Sequence, residues 1–298
     1  MSPSYKFLSF NSGPRICLGK EVTFTQMKAV WLQWSTTSKL SCLKVMWLSR
    51  DKVEKGLVPL LDDVARRGLV VDLQDVFMRL TFDSTSNLVF GVDLGCLSIE
   101  FPTIPITKAV DEAMSPLFLR HMVPPVWWKL MRWLRIGQEK KLAAAWKEID
   151  RFIAESIAEK SRHVKDGDEE KSDLLLAYIN ADEDIDRKGS IEFHKFLRDT
   201  AVTFMLARRD TTSVALSWFF WLLCQNPMAE FKILEELKAI VLQKEQSSSN
   251  DLIIFDADEV SKLVFLHAAL CESLRLFPPV PFEQKAALKS DVLKWSRS

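Results

Sequence analysis

Apolar residues along the chain recur mostly at three- and four-residue steps, which predicts helices and little sheet. Over 139–162, Leu142, Trp146, Ile149, Ile153 and Ile157 line one helical face. Over 256–276, Asp256 can cap and Glu259 follows three residues later, as in a capping box. Val260, Leu263, Val264, His267, Leu270 and Leu274 then share a side, and Pro278 with Pro279 stops the helix. A long helix is expected over 191–225, with Trp218-Phe219-Phe220-Trp221-Leu222-Leu223 apolar all round and therefore buried. Lys160–Asp173, dense in both charges, and Gln243–Asp251, with its Ser-Ser-Ser-Asn run, read as loops. Residues 31–52 fit neither template and read as a join between two unlike pieces, 1–30 and 53–298.

Composition narrows this picture without changing it. Only 9 of 298 residues are glycine, too few for a turn-rich sandwich or barrel. The 40 basic and 40 acidic residues balance, so nothing global points to nucleic acid. Five cysteines (17, 42, 96, 224 and 271) are odd in number and widely spaced, without a CxxC pair. That disfavours a disulfide framework or a zinc site and points to a reducing compartment. The first residues contain no apolar run of signal-peptide type, and Thr211–Ala229 is too polar for a spanning segment. The Asp182, Asp184, Asp186 alternation fails as a calcium loop, because Arg187 and Phe193 stand where Gly and Glu are needed.

The residues that carry chemistry are concentrated near the start. Phe10-Asn11-Ser12-Gly13-Pro14-Arg15-Ile16-Cys17-Leu18-Gly19 precedes a helix expected from about Lys20 to Trp31. A cysteine there meets free N–H groups and the positive end of the helix dipole, which stabilise a thiolate. Gly13 and Gly19 let backbone approach a flat ring, Phe10 can shield the sulfur, and Arg15 can pair with a carboxylate. The loop resembles the haem-binding loop of the cytochrome P450 monooxygenases at every fixed position of F-x-x-G-x-R-x-C-x-G. The resemblance implies Cys17 as the iron ligand and Arg15 against a haem propionate.

Two further segments resemble the same family. Ala207-Arg208-Arg209-Asp210-Thr211-Thr212 is similar to its oxygen-activating helix, usually [A/G]-G-x-[D/E]-T-[T/S]. The resemblance makes Asp210 and Thr211 an acid–alcohol proton relay and Ala207 the small residue against the ring. Arg208 departs from the pattern, because the family has glycine there. Glu272-Ser273-Leu274-Arg275 matches the structural E-x-x-R, and the following Leu276-Phe277-Pro278-Pro279-Val280-Pro281 resembles the family too. The helix downstream of Thr212 reads like the plant long-chain alkane and fatty-acid hydroxylase branch.

The family order is disturbed. The cysteine loop comes first here, whereas the family places it last, and neither the meander that joins E-x-x-R to the cysteine nor a membrane anchor is found. The expectation is a mainly α, incomplete cytochrome P450-like fold. The implied function is haem-dependent oxidation of an aliphatic, long-chain substrate, with an NADPH-dependent reductase as electron donor. The family implies the endoplasmic reticulum membrane, and the lack of an anchor a cytoplasmic location. Two other readings stay open: an inactive helical fragment that binds no haem, and a helical lipid- or protein-binding module suggested by the apolar 215–223 stretch.

Overall fold

A computed structural model describes residues 9–11, 16–17, 19–35, 52–98, 100–166, 173–181, 190–245 and 262–282. Among the described residues every regular element is helical and there is no strand, as the periodicity predicts. The helices are α1 (Lys20–Ser35), α2 (Val58–Arg67, led by a π-helical turn Val53–Leu57) and α3 (Leu73–Phe90). Then come α4 (Pro105–Met122), α5 (Pro125–Leu134), α6 (Gly137–Asp166) and α7 (Leu174–Ala181). The last are α8 (Ile191–Gln225), α9 (Pro227–Glu245) and α10 (Val264–Leu276).

Local chemistry sets many of these ends. Asp72 accepts the Gln74 and Asp75 amides and starts α3, and Gly91 in the left-handed region (φ 63°) ends it. Ser190 accepts the Phe193 amide and starts α8. Proline opens α4 and α5, where its missing N–H would be unpaired in any case.

α8 organises the rest. Its first half (Phe193, Leu197, Ala201, Met205) packs into one apolar cluster with α3, α4, α6 and α7, filled by Phe90, Val110, Ile149 and Ile153. Its second half (Ala215, Leu216, Phe219, Phe220, Leu223) belongs to another, with α1, the start of α3, α9 and α10. A polar seam divides the two clusters: Arg209, Thr212 and Ser213 on α8 and Thr81, Asp83, Ser84, Thr85 and Ser86 on α3 are all buried. Thr81 Oγ1 donates to Arg209 O at 2.8 Å and ties the seam together.

Four expectations change. α6 continues through the charged 160–166 stretch to Asp166, because a polar segment can remain helical once a packed helix has been nucleated. α9 likewise runs to Glu245, into the expected 243–251 loop; 246–251 lie outside the described residues. The apolar run late in α8 is not buried all round: Trp221 is 46 % exposed, and Trp218 stacks on Phe277 at 4.0 Å. α10 begins at Val264, which is 68 % exposed, so its buried face is Leu266, Leu270, Ser273 and Leu274. The cap expected at Asp256 and residues 36–51 of the join also lie outside the described residues.

Candidate functional site

At 100° per residue, consecutive α8 positions point in different directions, and 207–211 uses this fully. Ala207 and Thr211, four apart, share the solvent-facing side. Thr211 Oγ1 donates to Ala207 O at 2.7 Å, a back-bond that holds the hydroxyl on the helix rather than on Asp210. Arg209 turns the opposite way and is buried, with Nη2 2.5 Å from Asp111 of α4 and its guanidinium 5.5 Å from the Phe82 ring.

Asp210 lies between these directions, its carboxylate 3.6 Å from Arg209 Nη1. Burial raises its pKa; Arg209 opposes the shift and Asp111 adds to it. Arg208 reaches a third neighbour, donating from Nη2 to Gln26 Oε1 of α1 at 3.3 Å across 182 positions of sequence. Burial pulls its guanidinium down to about 10.

The cysteine loop stands at the other end of α1. Cys17 N–H donates to Phe10 O at 2.8 Å and closes the turn, and Gly19 O accepts from Thr23 N at 2.8 Å as the helix begins. Cys17 is a free, exposed thiol. Among the described residues, a Cβ on Gly19 would meet only Cys17 Sγ, at 3.8 Å. Phe10 packs its ring 5.2 Å from Phe24, which lies 4.5 Å from His267 of α10. Ser9 Oγ donates to Leu274 O at 3.3 Å. Phe10 thus joins the apolar core beside α10. Gly13 and Arg15 lie outside the described residues.

Buried Phe24, Met27, Val30 and Trp31 seat α1 against α10 and the second half of α8, with Trp31 6.1 Å from Phe219 and 5.9 Å from Phe220. Gln26 is six residues into α1, about 9 Å along its axis at 1.5 Å per residue. Cys17 offers an accessible thiol beside Gly19, a donor whose chemistry fits a metal-bearing ring. Among the described residues no group of three or more His, Cys, Asp or Glu could hold a metal.

Glu272 and Arg275 pair with each other through two hydrogen bonds of 2.7 and 2.8 Å on the outer face of α10. Their side chains are 55 % and 61 % exposed. Gln26 and Asp111, the partners that position the two arginines, carried no signal in the sequence: each is an ordinary polar position on an amphipathic helix. The sequence also did not show the open groove of about 290 Å³ upstream on α8, lined by Phe196, Asp199, Thr200, Thr203 and Phe204. Thr200, Thr203, Ala207 and Thr211 follow one another at three- and four-residue steps, so the groove and the Ala207–Thr211 face lie along one side of α8.

Comparison with known proteins gives a consistent picture. Noroxomaritidine synthase of Narcissus aff. pseudonarcissus MK-2014 is 42% identical over 246 residues, covering 82% of this chain and 47% of that protein. Cytochrome P450 86B1 of Arabidopsis thaliana is 42% identical over 246 residues, covering 80% of this chain and 44% of that protein. Alkane hydroxylase MAH1 of Arabidopsis thaliana is 37% identical over 250 residues, covering 82% of this chain and 47% of that protein. The chain therefore spans about half the length of the curated relatives it matches.

A crystal structure of the cytochrome P450DA heme domain superposes with a TM-score of 0.54 at 21% identity, covering 85% of this chain and 47% of that one, a likeness of fold. The family model described as cytochrome P450 matches residues 48–294, a span that holds α8 and α10 and leaves out the cysteine loop. With most of its length matched in this way, the chain belongs to the cytochrome P450 family.

Proposed function

We propose that this chain acts as a haem-thiolate monooxygenase that oxidises an aliphatic, long-chain substrate, with an NADPH-dependent reductase as electron donor. The observation that carries the proposal is the docking of α1. It brings the helix that follows Cys17 onto the helix of Ala207 and Thr211, with Gln26 on Arg208 across 182 positions. When bound, haem would supply the redox centre at which one oxygen atom enters a C–H bond.

The chain's own residues have separable tasks. Cys17 would ligate the iron, with Phe10, Gly13 and Gly19 shaping the loop and Arg15 meeting a propionate. Ala207 leaves room for the ring on the facing helix. Burial makes Asp210 take up a proton more readily than an exposed aspartate, and Thr211 can hand one on if its hydroxyl turns from Ala207 O. Phe196 and Phe204 give the groove apolar walls suited to a hydrophobic small molecule. The name of one relative, alkane hydroxylase, supports an aliphatic substrate. Glu272 and Arg275 brace the last turn of α10 before Pro278. We place the protein at the endoplasmic reticulum membrane; among the described residues no helix is long and apolar enough to cross it.

A second reading, an inactive chain that takes up no haem, is favoured by Arg208, a largely buried guanidinium where the family carries glycine. Reconstituting the full chain with haem, reducing it and adding carbon monoxide separates the two. The strongly red-shifted Soret band of a thiolate complex is expected, and Cys17→Ser should abolish it. A chain that takes up no haem favours the second reading, and identical spectra for the wild type and Cys17→Ser would reject Cys17 as the ligand.

A further inference from the structure

One buried cation stands between two carboxylates where α4 crosses α8. The side chain of Arg209, on α8, is 4 % exposed, and its Nη2 donates to Asp111 Oδ1 of α4 at 2.5 Å. Its Nη1 lies 3.6 Å from Asp210 Oδ1, beyond hydrogen-bond reach. Among the described residues, Arg209 Nε, Arg209 Nη1 and Asp210 Oδ1 make no hydrogen bond at all. The guanidinium therefore stands within reach of both carboxylates and bonds only one.

The two acids are not equivalent. The Asp111 side chain is 54 % exposed and that of Asp210 only 26 %, so water can solvate the first far better than the second. A guanidinium shift of about 0.8 Å would bring Nη1 onto Asp210 at the length of a charge-assisted bond. Bonded in that way, Asp210 would be held as a carboxylate and would take up a proton poorly, because a hydrogen bond to the charged form favours that form. Asp111 opposes the closure twice over. It fixes Nη2 on the α4 side, and its own negative charge adds to burial in raising the Asp210 pKa, against the pull of Arg209.

We propose that Asp111 is a positioning residue for Asp210: by holding Arg209 through Nη2, it keeps the guanidinium from closing on Asp210 and leaves that carboxyl able to take up and release a proton. The inference rests on the proposed role of Asp210 as a proton carrier and adds the residue, on another helix, that sets its affinity for the proton. An Asp111 that only anchored α4 to α8 would act on stability and leave the titration of Asp210 where it is.

The test uses the full chain without haem, so a failure to take up haem, read separately from the carbon monoxide spectrum, does not decide it. The Asp210 carboxyl is followed by carbon-13 NMR, its signal assigned by its loss in Asp210→Asn. In Asp111→Asn the titration midpoint of Asp210 should move to lower pH, because Arg209 then serves Asp210 alone. Asp111→Glu, which keeps the charge on α4, should stay near the wild-type midpoint. Urea unfolding at neutral pH gives a second reading. Each single variant leaves the buried guanidinium one carboxylate, and Asp111→Asn/Asp210→Asn leaves it none. The rise in the unfolding constant of the double variant should exceed the product of the two single effects by about threefold or more. If the double variant does not fold, adding Arg209→Met should restore folding, since the stranded charge is gone. An Asp210 midpoint that stays or rises in Asp111→Asn overturns the proposal. So do single effects that simply multiply, or a triple variant that folds no better than the double, and Asp111 would then be an anchor of α4 alone.

Discussion

Replacing Arg120 with methionine should be far more damaging than removing both members of its ion pair. Glu139 is 3 % exposed in its side chain and accepts from Arg120 Nε at 2.8 Å and Nη2 at 2.7 Å. Methionine keeps much of the packing against Trp128 but strands a buried carboxylate. Breaking such a pair costs about 3–5 kcal/mol, whereas replacing both charges with apolar groups of similar volume is close to neutral. Arg120→Met should therefore lower Tm by on the order of 10 °C, and Arg120→Met/Glu139→Leu should recover most of that loss. Urea unfolding followed by far-UV circular dichroism gives the free energies. The pH dependence adds a check on sign. The Arg120 guanidinium holds the Glu139 carboxyl below its ordinary value of 4.5. The unfolded state then binds more protons, so this stability is present above about pH 4.5 and is lost as pH falls through the lower, folded value. The double variant should lack that part of the acid limb. A double variant as unstable as Arg120→Met would refute the reasoning, since removing the stranded charge would have restored nothing.

Three further substitutions probe the seam, the core and the departure from the family. Asp83 is fully buried and accepts the Cys96 and Leu97 amides at 3.0 and 2.9 Å, so Asp83→Ala should cost about 2–4 kcal/mol and speed hydrogen exchange at both amides; unchanged exchange there would count against it. Phe219→Ala, at a 1 % exposed ring packed on Trp31 and Phe220, should cost about 3–5 kcal/mol in urea unfolding, and a loss under 1 kcal/mol would show that the α1–α8 contact is not formed. In Arg208→Ala, relief of a desolvation cost on the order of 3 kcal/mol, from the fall to about 10, offsets a charge-assisted hydrogen bond to Gln26 of about 1.5–3 kcal/mol. Stability should then change by under about 1 kcal/mol, and a loss above 3 kcal/mol would make Arg208 a structural brace.

Periodicity exposed the long elements because their burial is one-sided and regular. Leu142, Ile149, Ile153 and Ile157 of α6 are buried as their spacing requires, and α8 runs over the stretch that its apolar pattern marks. Other features depend on neighbours that the chain reaches only after folding. Val264 and Leu266 are equally apolar, and only the position of α9 decides that one faces water and the other the core: Glu236 Oε2 accepts the Leu266 amide at 3.0 Å and fixes the start of α10. The acid–alcohol spacing of Asp210 and Thr211 is plain in the sequence, yet the preference of Thr211 for Ala207 O is a rotamer choice that spacing does not encode. The reach of Arg209 to Asp111 likewise depends on α4 crossing α8 near the seam.

The displaced cysteine loop raises the question whether a motif at the wrong end of a chain can still find its place. The contacts that seat it are side-chain contacts, indifferent to covalent order: Trp31 against Phe219 and Phe220, Phe24 between Phe10 and His267, Gln26 on Arg208. Closing a longer loop adds only about 0.6 kcal/mol per doubling of its length. Burying Met27, Val30 and Trp31 returns about 1.5–3 kcal/mol each. Docking across 182 positions or, from Ser9 to Leu274, across 265 is therefore affordable on packing grounds. Motif order alone is then a weak argument against an assembled site. The stronger constraint is local, because α1 follows directly on the turn that Cys17 closes, and its Gln26 accepts a hydrogen bond from Arg208 of α8.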